Sequence, residues 1–509
     1  MMNNGNPKGG YVQLPICDKS ISSETAADFT LPDYQPEIKR LLRVSSTVLP
    51  PSRYVGDREC EITGNIDYYV LYIGSDNAIY CAPLTGDYKI SAPVEHPSGE
   101  ESYIASPESL VTVVSDTVSG RVTAPRRINI KCRLRARAQV FGDSPVDAGE
   151  IEQNEDIQVL KSILRSSRVS CGMRDTVRVS DEIICDRGEG DLRVIYGEGR
   201  VLFGEVTPTS GEIFCRGDVY LKLMLCRDDG SLPYTVTRKI PISASVQVTG
   251  AESGGSATAK GTVTDMSITV EEGRIGIDLG VAVEAEVCFE EMTEHVKDVY
   301  STDRAAENIY KRVSLPTFAT AFGGNFTLSD SAALDEIGIA AGAKIVDACG
   351  FAIPEEYKLE GGGCAVSGKA RFSLLLEKDG EFSTAEMELP FSYRTGANGE
   401  FDRAICSAEV VSVRARADGD RVGIDAEIAI SGRAYAEREK RMLSRVGFGE
   451  ALRHERGETV VCYPSKDDSL WSVAKRYGAS LSRVAEVNGL ITDDPDLTES
   501  LEGKNFLII

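Results

Sequence analysis

Histidine and tryptophan are nearly missing from this chain: 509 residues carry three histidines, His96, His295 and His454, and one tryptophan, Trp471. The histidines are scattered and none shows H-x-x-x-H spacing, so a histidine-based zinc site or a nucleophile triad has little to be built from. No two cysteines have C-x-x-C spacing and their number, thirteen, is odd. Reduced thiols acting as small apolar side chains are therefore expected, without disulfides or a metal. Apolar runs of transmembrane length are absent. The opening MMNNGNPKGGYVQLPICDKS also lacks the apolar stretch, about seven or more residues long, that a signal peptide requires. A cytoplasmic address is the expectation. Positive charge is in deficit as well: 56 Lys and Arg against 79 Asp and Glu leave a formal net charge of −23, which repels phosphate backbones and argues against DNA or RNA as a partner.

What is present is an ordinary foldable composition, with 42% hydrophobic, 27% charged and 7% aromatic residues. The length suggests roughly three or four domains. Internal periodicity organises most of it. ITGNIDYYVLYIGSDNAIY from Ile62, CRGDVYLKLMLCRDDGSLPY from Cys215 and VSGKARFSLLLEKDGEF from Val366 share a glycine, an alternating apolar stretch and a turn. Their glycines, Gly64, Gly217 and Gly368, are spaced by 153 and 151 residues. A second motif follows each, RRINIKCRL, RIGIDLGVAV and RVGIDAEIAI, and its Arg127, Arg274 and Arg421 are spaced by 147 and 147. FTLPD from Phe29 and FTLSD from Phe326 lie about two such periods apart.

The repeated stretches alternate at period two and end in Asp, Gly or Asn, as strands and hairpin turns do. The expected fold class is mainly β: three tandem β-sandwich-like repeats, then a small β-α-α-β domain. The boundaries are a segment 1–28, repeats over 29–150, 151–300 and 301–435, a charged helix or flexible connector over 436–458, and a last domain over 459–509. DIQVLKSILRSS (Asp156 to Ser167) and RAAENIYKR (Arg304 to Arg312) suit helix or strand.

Chemistry-bearing patterns are few. GCAVSGKA (Gly363 to Ala370) has the G-x-x-x-x-G-K spacing of a phosphate loop, but Ala370 stands where a magnesium-binding hydroxyl belongs and a strand follows, not a helix. No carboxylate pair is singled out by spacing. Neither an enzyme nor a cofactor is expected. In the first repeat Arg127, Lys131, Arg133, Arg135 and Arg137 alternate with apolar residues, placing a cationic ladder on one strand face. It is either a solvated face balanced by neighbouring carboxylates or a contact for an anionic partner or lipid headgroups.

Beyond residue 458 the period changes to 3.6. VVCY (Val460 to Tyr463) is a short strand, and Asp468 or Ser469 offers a helix cap. Leu470, Val473, Ala474 and Tyr477 form one stripe, with Trp471 off it, and Gly478 ends the helix. Ser480 caps a second helix that breaks at Asn488-Gly489, and NFLII closes with a strand.

This tail resembles a LysM domain, through DSLWSVAKRYG followed by VNGL. The resemblance implies a shallow groove for N-acetylglucosamine-containing, peptidoglycan-type glycans. One side of it would be Asp467, Asp468, Ser469, Leu470 and Trp471, the other Asn488, Gly489, Leu490 and Ile491. Two features depart from the family pattern: Asp467 replaces a glycine, and Glu502-Gly503-Lys504 replaces Pro-Gly-Gln after the acidic insert TDDPDLTESLE. Asp467, Asp468, Asp493, Asp494 and Asp496 ring this groove, which suits a basic protein surface as well as sugar hydroxyls.

The domain order, with LPDYQPEIKRLL (Leu31 to Leu42) and DIQVLKS (Asp156 to Ser162), resembles spore envelope proteins that join SPOCS repeats to LysM. That resemblance implies a non-enzymatic morphogenetic adaptor of the endospore coat, acting in the mother-cell cytoplasm at the forespore surface. Its partners would be the coat's basal ATPase and other coat proteins. The alternative is a peptidoglycan-binding cell-wall protein.

Overall fold

Period-two alternation dominates the chain, and strands follow from it. A computed structural model describes residues 10–95, 107–146, 151, 154–185, 191–228, 231–271, 273–360, 363–396, 400–452, 459–490, 494, 496, 498–501 and 503–509. The first set of strands is β1 (Tyr11–Thr30), β2 (Ile38–Val48), β3 (Ser52–Val55), β4 (Glu59–Gly74), β5 (Ile79–Pro93), β6 (Glu108–Ala124) and β7 (Arg127–Pro145). The second is β8 (Ile157–Ile184), β9 (Leu192–Thr209), β10 (Glu212–Arg227), β11 (Tyr234–Gln247), β12 (Ser256–Glu271) and β13 (Arg274–Ser301). The third is β14 (Arg304–Ala333), β15 (Lys344–Glu360), β16 (Gly363–Lys378), β17 (Glu381–Gly396), β18 (Arg403–Asp418) and β19 (Arg421–Ala451). A terminal module holds β20 (Val461–Cys462), α1 (Leu470–Tyr477), α2 (Leu481–Asn488) and β21 (Leu507–Ile508).

The large sheets come in three antiparallel pairs of matching order. β1-β7-β6 accompanies β2-β4-β5, with β3 continuing β2 along the same edge of β4 past Pro50-Pro51; β8-β13-β12 accompanies β9-β10-β11, and β14-β19-β18 accompanies β15-β16-β17. Each pair closes on its own core. Ile62, Ile66 and Tyr72 of β4 meet Ile128, Ile130 and Leu134 of β7. Leu221 and Leu223 of β10 meet Ile275 and Ile277 of β13, and Phe372 and Leu374 of β16 meet Ile424 and Ile428 of β19. Arg127, Arg274 and Arg421 each open the middle strand of one sheet, while Gly64, Gly217 and Gly368 lie on the middle strand of the other. At Gly217 a β-carbon would lie 2.1 Å from the Leu202 carbonyl oxygen, beside a bulge in the β9–β10 ladder, so only glycine fits.

Equivalent positions also meet one another. Leu71, Met224 and Leu375, each seven residues past its glycine, share one buried cluster drawn from all three pairs of sheets. Beside it Asp347 of β15 accepts from Arg43 of β2 (2.7 Å) and Tyr196 of β9 (2.5 Å) and pairs with Lys222 of β10 at 3.0 Å. The Asp347 side chain is 1% exposed. Burial alone would raise its pKa, but Lys222, Arg43 and the Tyr196 hydroxyl outweigh that and hold the carboxyl well below the usual range. Elsewhere Arg433 of β19 reaches the Gln139 amide oxygen of β7, and its guanidinium lies 5.4 Å from the centre of the Phe141 ring.

Two expectations from the sequence are corrected. Residues 11–28 are most of β1, paired along β7, and not a separate leading segment. Residues 436–451 are neither helix nor connector: they continue β19 and pair with Arg304 to Phe318 of β14. The segment looks like a connector because residues 438–441, Arg-Glu-Lys-Arg, are exposed on both faces of a two-stranded ribbon, which erases the alternation. A second ribbon joins the starts of β8 and the end of β13, with Ile157 opposite Ser301 and Val169 opposite Cys288. DIQVLKSILRSS and RAAENIYKR are therefore strand. Thr302-Asp303 links the ribbons, which pack through Val299, Tyr310, Leu443 and Val446.

Candidate functional site

The terminal module folds from local signals. The Ser469 hydroxyl accepts from the Ser472 backbone N–H at 3.2 Å and the Ser472 hydroxyl accepts from the Ser469 N–H at 2.9 Å, a reciprocal cap that starts α1. Gly478 and Gly489 end the two helices in the left-handed conformation, φ 59° and 61°. Leu470, Val473, Ala474, Val484 and Ala485 pack with Cys462 and Leu507 of the two short strands. Ser480 stands at the start of α2 but makes no capping bond; its hydroxyl pairs with Ser482.

Trp471 leaves that stripe and faces the ribbon. It is 3% exposed, its ring meets Tyr300 of β13 edge to face at 4.9 Å, and its indole N–H donates to Asp298 Oδ2 at 2.9 Å. Asp298 also accepts from Lys475 of α1 (2.7 and 2.6 Å), from the Tyr310 hydroxyl (2.7 Å) and from the Asn308 amide (2.8 Å), both of β14. Burial pushes the Asp298 pKa up, but the Lys475 ammonium, the indole and the Tyr310 hydroxyl outweigh it and hold the carboxyl below its ordinary value. Around this centre the Tyr300 hydroxyl donates to the Ala479 carbonyl at 2.8 Å, Gln158 accepts from the Leu481 N–H at 3.2 Å, and Lys297 pairs with Asp496. Leu160 of β8 joins the module's core. Donors from two segments, α1 and β14, thus converge on one carboxylate of β13, and the module is bound to the ribbons through α1 and the α1–α2 turn.

The loops expected to form a groove lie at the start of α1 and the end of α2, away from the α1–α2 turn. Asp467 and Gly489 are exposed, and Asn488 and Leu490 are half-buried. Asp468 is buried, accepting from the Ser465 N–H and paired with Arg476; Ser469 and Leu470 are buried with it. The Asn488 side chain is consumed internally: its amide donates to the Val484 and Ile508 carbonyls and its oxygen accepts from the Ile508 N–H. Ile491 and Asp493 lie outside the described residues. Trp471 is therefore not brought to the groove.

The cationic ladder does line one face of β7. Arg135 pairs with Asp116 of β6 at 3.0 Å, and Arg137 pairs with Asp18 of β1, while Arg127, Lys131 and Arg133 are exposed. GCAVSGKA is the first half of β16, so no loop cradles a phosphate there. His295 is buried, its Nδ1 donating to the Ser162 carbonyl; His96 and His454 lie outside the described residues. Among the described residues no His, Cys, Asp and Glu cluster has metal-binding geometry, and no helix is long and apolar enough to cross a membrane. Sequence reasoning missed Asp298, Tyr300 and Lys475. Trp471 and Asp298 are 173 positions apart, and nothing local marks them as partners.

Compared with known proteins, residues 465–498 match the family model for the LysM domain. No curated protein and no solved structure matches the chain.

Proposed function

We propose that this chain is a non-enzymatic adaptor in which three pairs of β-sheets hold a LysM module in a fixed orientation and turn its groove loops outward. The observation that carries the reading is the convergence of Trp471 and Lys475 on Asp298. A module that merely trailed on a tether would not bury its tryptophan against the body. The LysM match favours N-acetylglucosamine-containing, peptidoglycan-type glycan as the module's ligand. The resemblance of LPDYQPEIKRLL and DIQVLKS to SPOCS sequence, together with three sheet pairs of equal strand order, supports a second layer: a morphogenetic role in the endospore coat, in the mother-cell cytoplasm at the forespore surface. There the repeats engage other coat proteins and the module meets the basal coat ATPase, to which the exposed Asp467 and Asp494 present negative charge.

The test titrates the full chain by calorimetry with N-acetylglucosamine oligomers and, separately, with the coat ATPase. Saturable glycan binding is the expected result for the module. Glycan binding without ATPase binding refutes the coat reading for the tail, and ATPase binding without glycan binding refutes the glycan reading.

A further inference from the structure

The two short strands of the module have apolar residues on both faces. Cys462 and Leu507 point into the core, whereas Val461, Tyr463, Phe506 and Ile508 alternate with them and point out. A two-stranded sheet wetted on one side normally carries polar residues there. Here Tyr463 is 76% exposed and Phe506 51% exposed. Val461 pairs with Ile508 and Cys462 with Leu507, so the same register, continued by one residue, sets Tyr463 opposite Phe506. The bonds by which the described ribbon residues hold the module, from Trp471, Lys475, Ala479 and Leu481, involve none of the four side chains on this face.

Two features select what covers it. Two partly uncovered aromatic rings with a valine and an isoleucine amount to an apolar patch on the order of 400 Å². That is about half of the roughly 800 Å² per partner that a stable protein–protein interface buries. The four side chains on this face, Val461, Tyr463, Phe506 and Ile508, are uncharged in a chain of net charge −23, so none of them attracts a protein surface by charge. A small, uncharged ligand with flat apolar faces fits these limits, and a pyranose ring, with its axial C–H groups above and below and its hydroxyls at the rim, is such a ligand. We infer that Tyr463 and Phe506 form a glycan-stacking subsite on the outer sheet face, separate from the groove at Asp467 and Gly489. The inference rests on the glycan reading of the module and adds a second contact to it.

The test measures binding of an N-acetylglucosamine pentamer to the full chain by calorimetry. The Tyr463→Ser/Phe506→Ser variant should weaken Kd by about tenfold or more. Tyr463→Leu/Phe506→Leu keeps the face apolar but removes the rings, and should lose a comparable factor, which guards against a mere unfolding effect. Asp467→Arg reports on the groove separately. Unchanged affinity in both ring variants overturns the subsite while leaving the glycan reading standing, and absence of binding in the unmodified chain overturns both. Sedimentation showing a dimer that the Ser variant abolishes means that a second copy covers the face, and also overturns the inference.

Discussion

Two carboxylates hold this molecule together, and they do so differently. Asp347 sits where three pairs of sheets meet, its side chain 1% exposed, and takes Arg43, Lys222 and Tyr196 from the other two pairs. Asp298 sits where the LysM module meets the ribbons, 16% exposed, and takes Trp471 and Lys475 from the module and Asn308 and Tyr310 from β14. Both convert a contact between distant segments into one hydrogen-bonded centre. The first is walled in by the Leu71, Met224 and Leu375 cluster, so its loss leaves Arg43 without its carboxylate in a dry interior and Lys222 with Glu198 alone, 3.6 Å away. The second lies at an edge where water can replace each donor. The β body is thereby built as one piece, and the module is built to be held.

That contrast orders the expected effects. Asp347→Ala strands Arg43 and leaves Lys222 only the more distant Glu198, and should cost about 3–5 kcal/mol of body stability, read from chemical denaturation with a probe of β structure. Equal stability of variant and parent breaks the comparison. Asp298→Ala should leave the body intact and weaken module docking by about 1–3 kcal/mol, visible as a red shift in Trp471 emission before global unfolding. Acid should act in the same order. Both carboxyls have pKa values below the unfolded value of about 3.9, so each contributes stability above that pH and loses it as pH falls through its own folded pKa. Asp347 is held further down, so Trp471 should be released below about pH 4 while the β signal persists. Ser469→Ala removes the α1 cap and should cost the module about 1 kcal/mol, measured as its own thermal transition. Arg135→Ala breaks a partly exposed pair with Asp116 and should change body stability by no more than about 1 kcal/mol.

Much of this was legible in the sequence, for physical reasons. A sheet facing core on one side and water on the other writes its alternation directly, so YYVLYI, LKLMLC and RINIKCRL are strand in the structure. The equal spacing of Arg127, Arg274 and Arg421 marks strands that begin at matching places. The module's helices were legible because caps and stripes are local. The ribbons were not. A two-stranded ribbon wetted on both faces has no reason to alternate, and the run Arg-Glu-Lys-Arg at 438–441 looks like a connector until its partner in β14 is known. The docking site was hidden for a different reason. Trp471 stands out as the chain's one tryptophan and as a residue off its helix stripe, but the resemblance assigns it to the groove, and Asp298 is an ordinary aspartate in an acidic sequence. The groove was only half legible: its loops fall at the ends of α1 and α2, yet Asn488 spends its amide on β21.

The LysM module is fixed to the ribbons through Trp471. Because Trp471 is the only tryptophan and packs against Tyr300 and Asp298, its fluorescence in the full chain reads that contact without a second tryptophan's signal. Emission should be blue-shifted and shielded from a soluble quencher at neutral pH, and red-shifted and quenchable in Asp298→Ala with the β structure unchanged. Solvent-exposed emission in the unmodified chain, or shielded emission that Asp298→Ala leaves untouched, contradicts it.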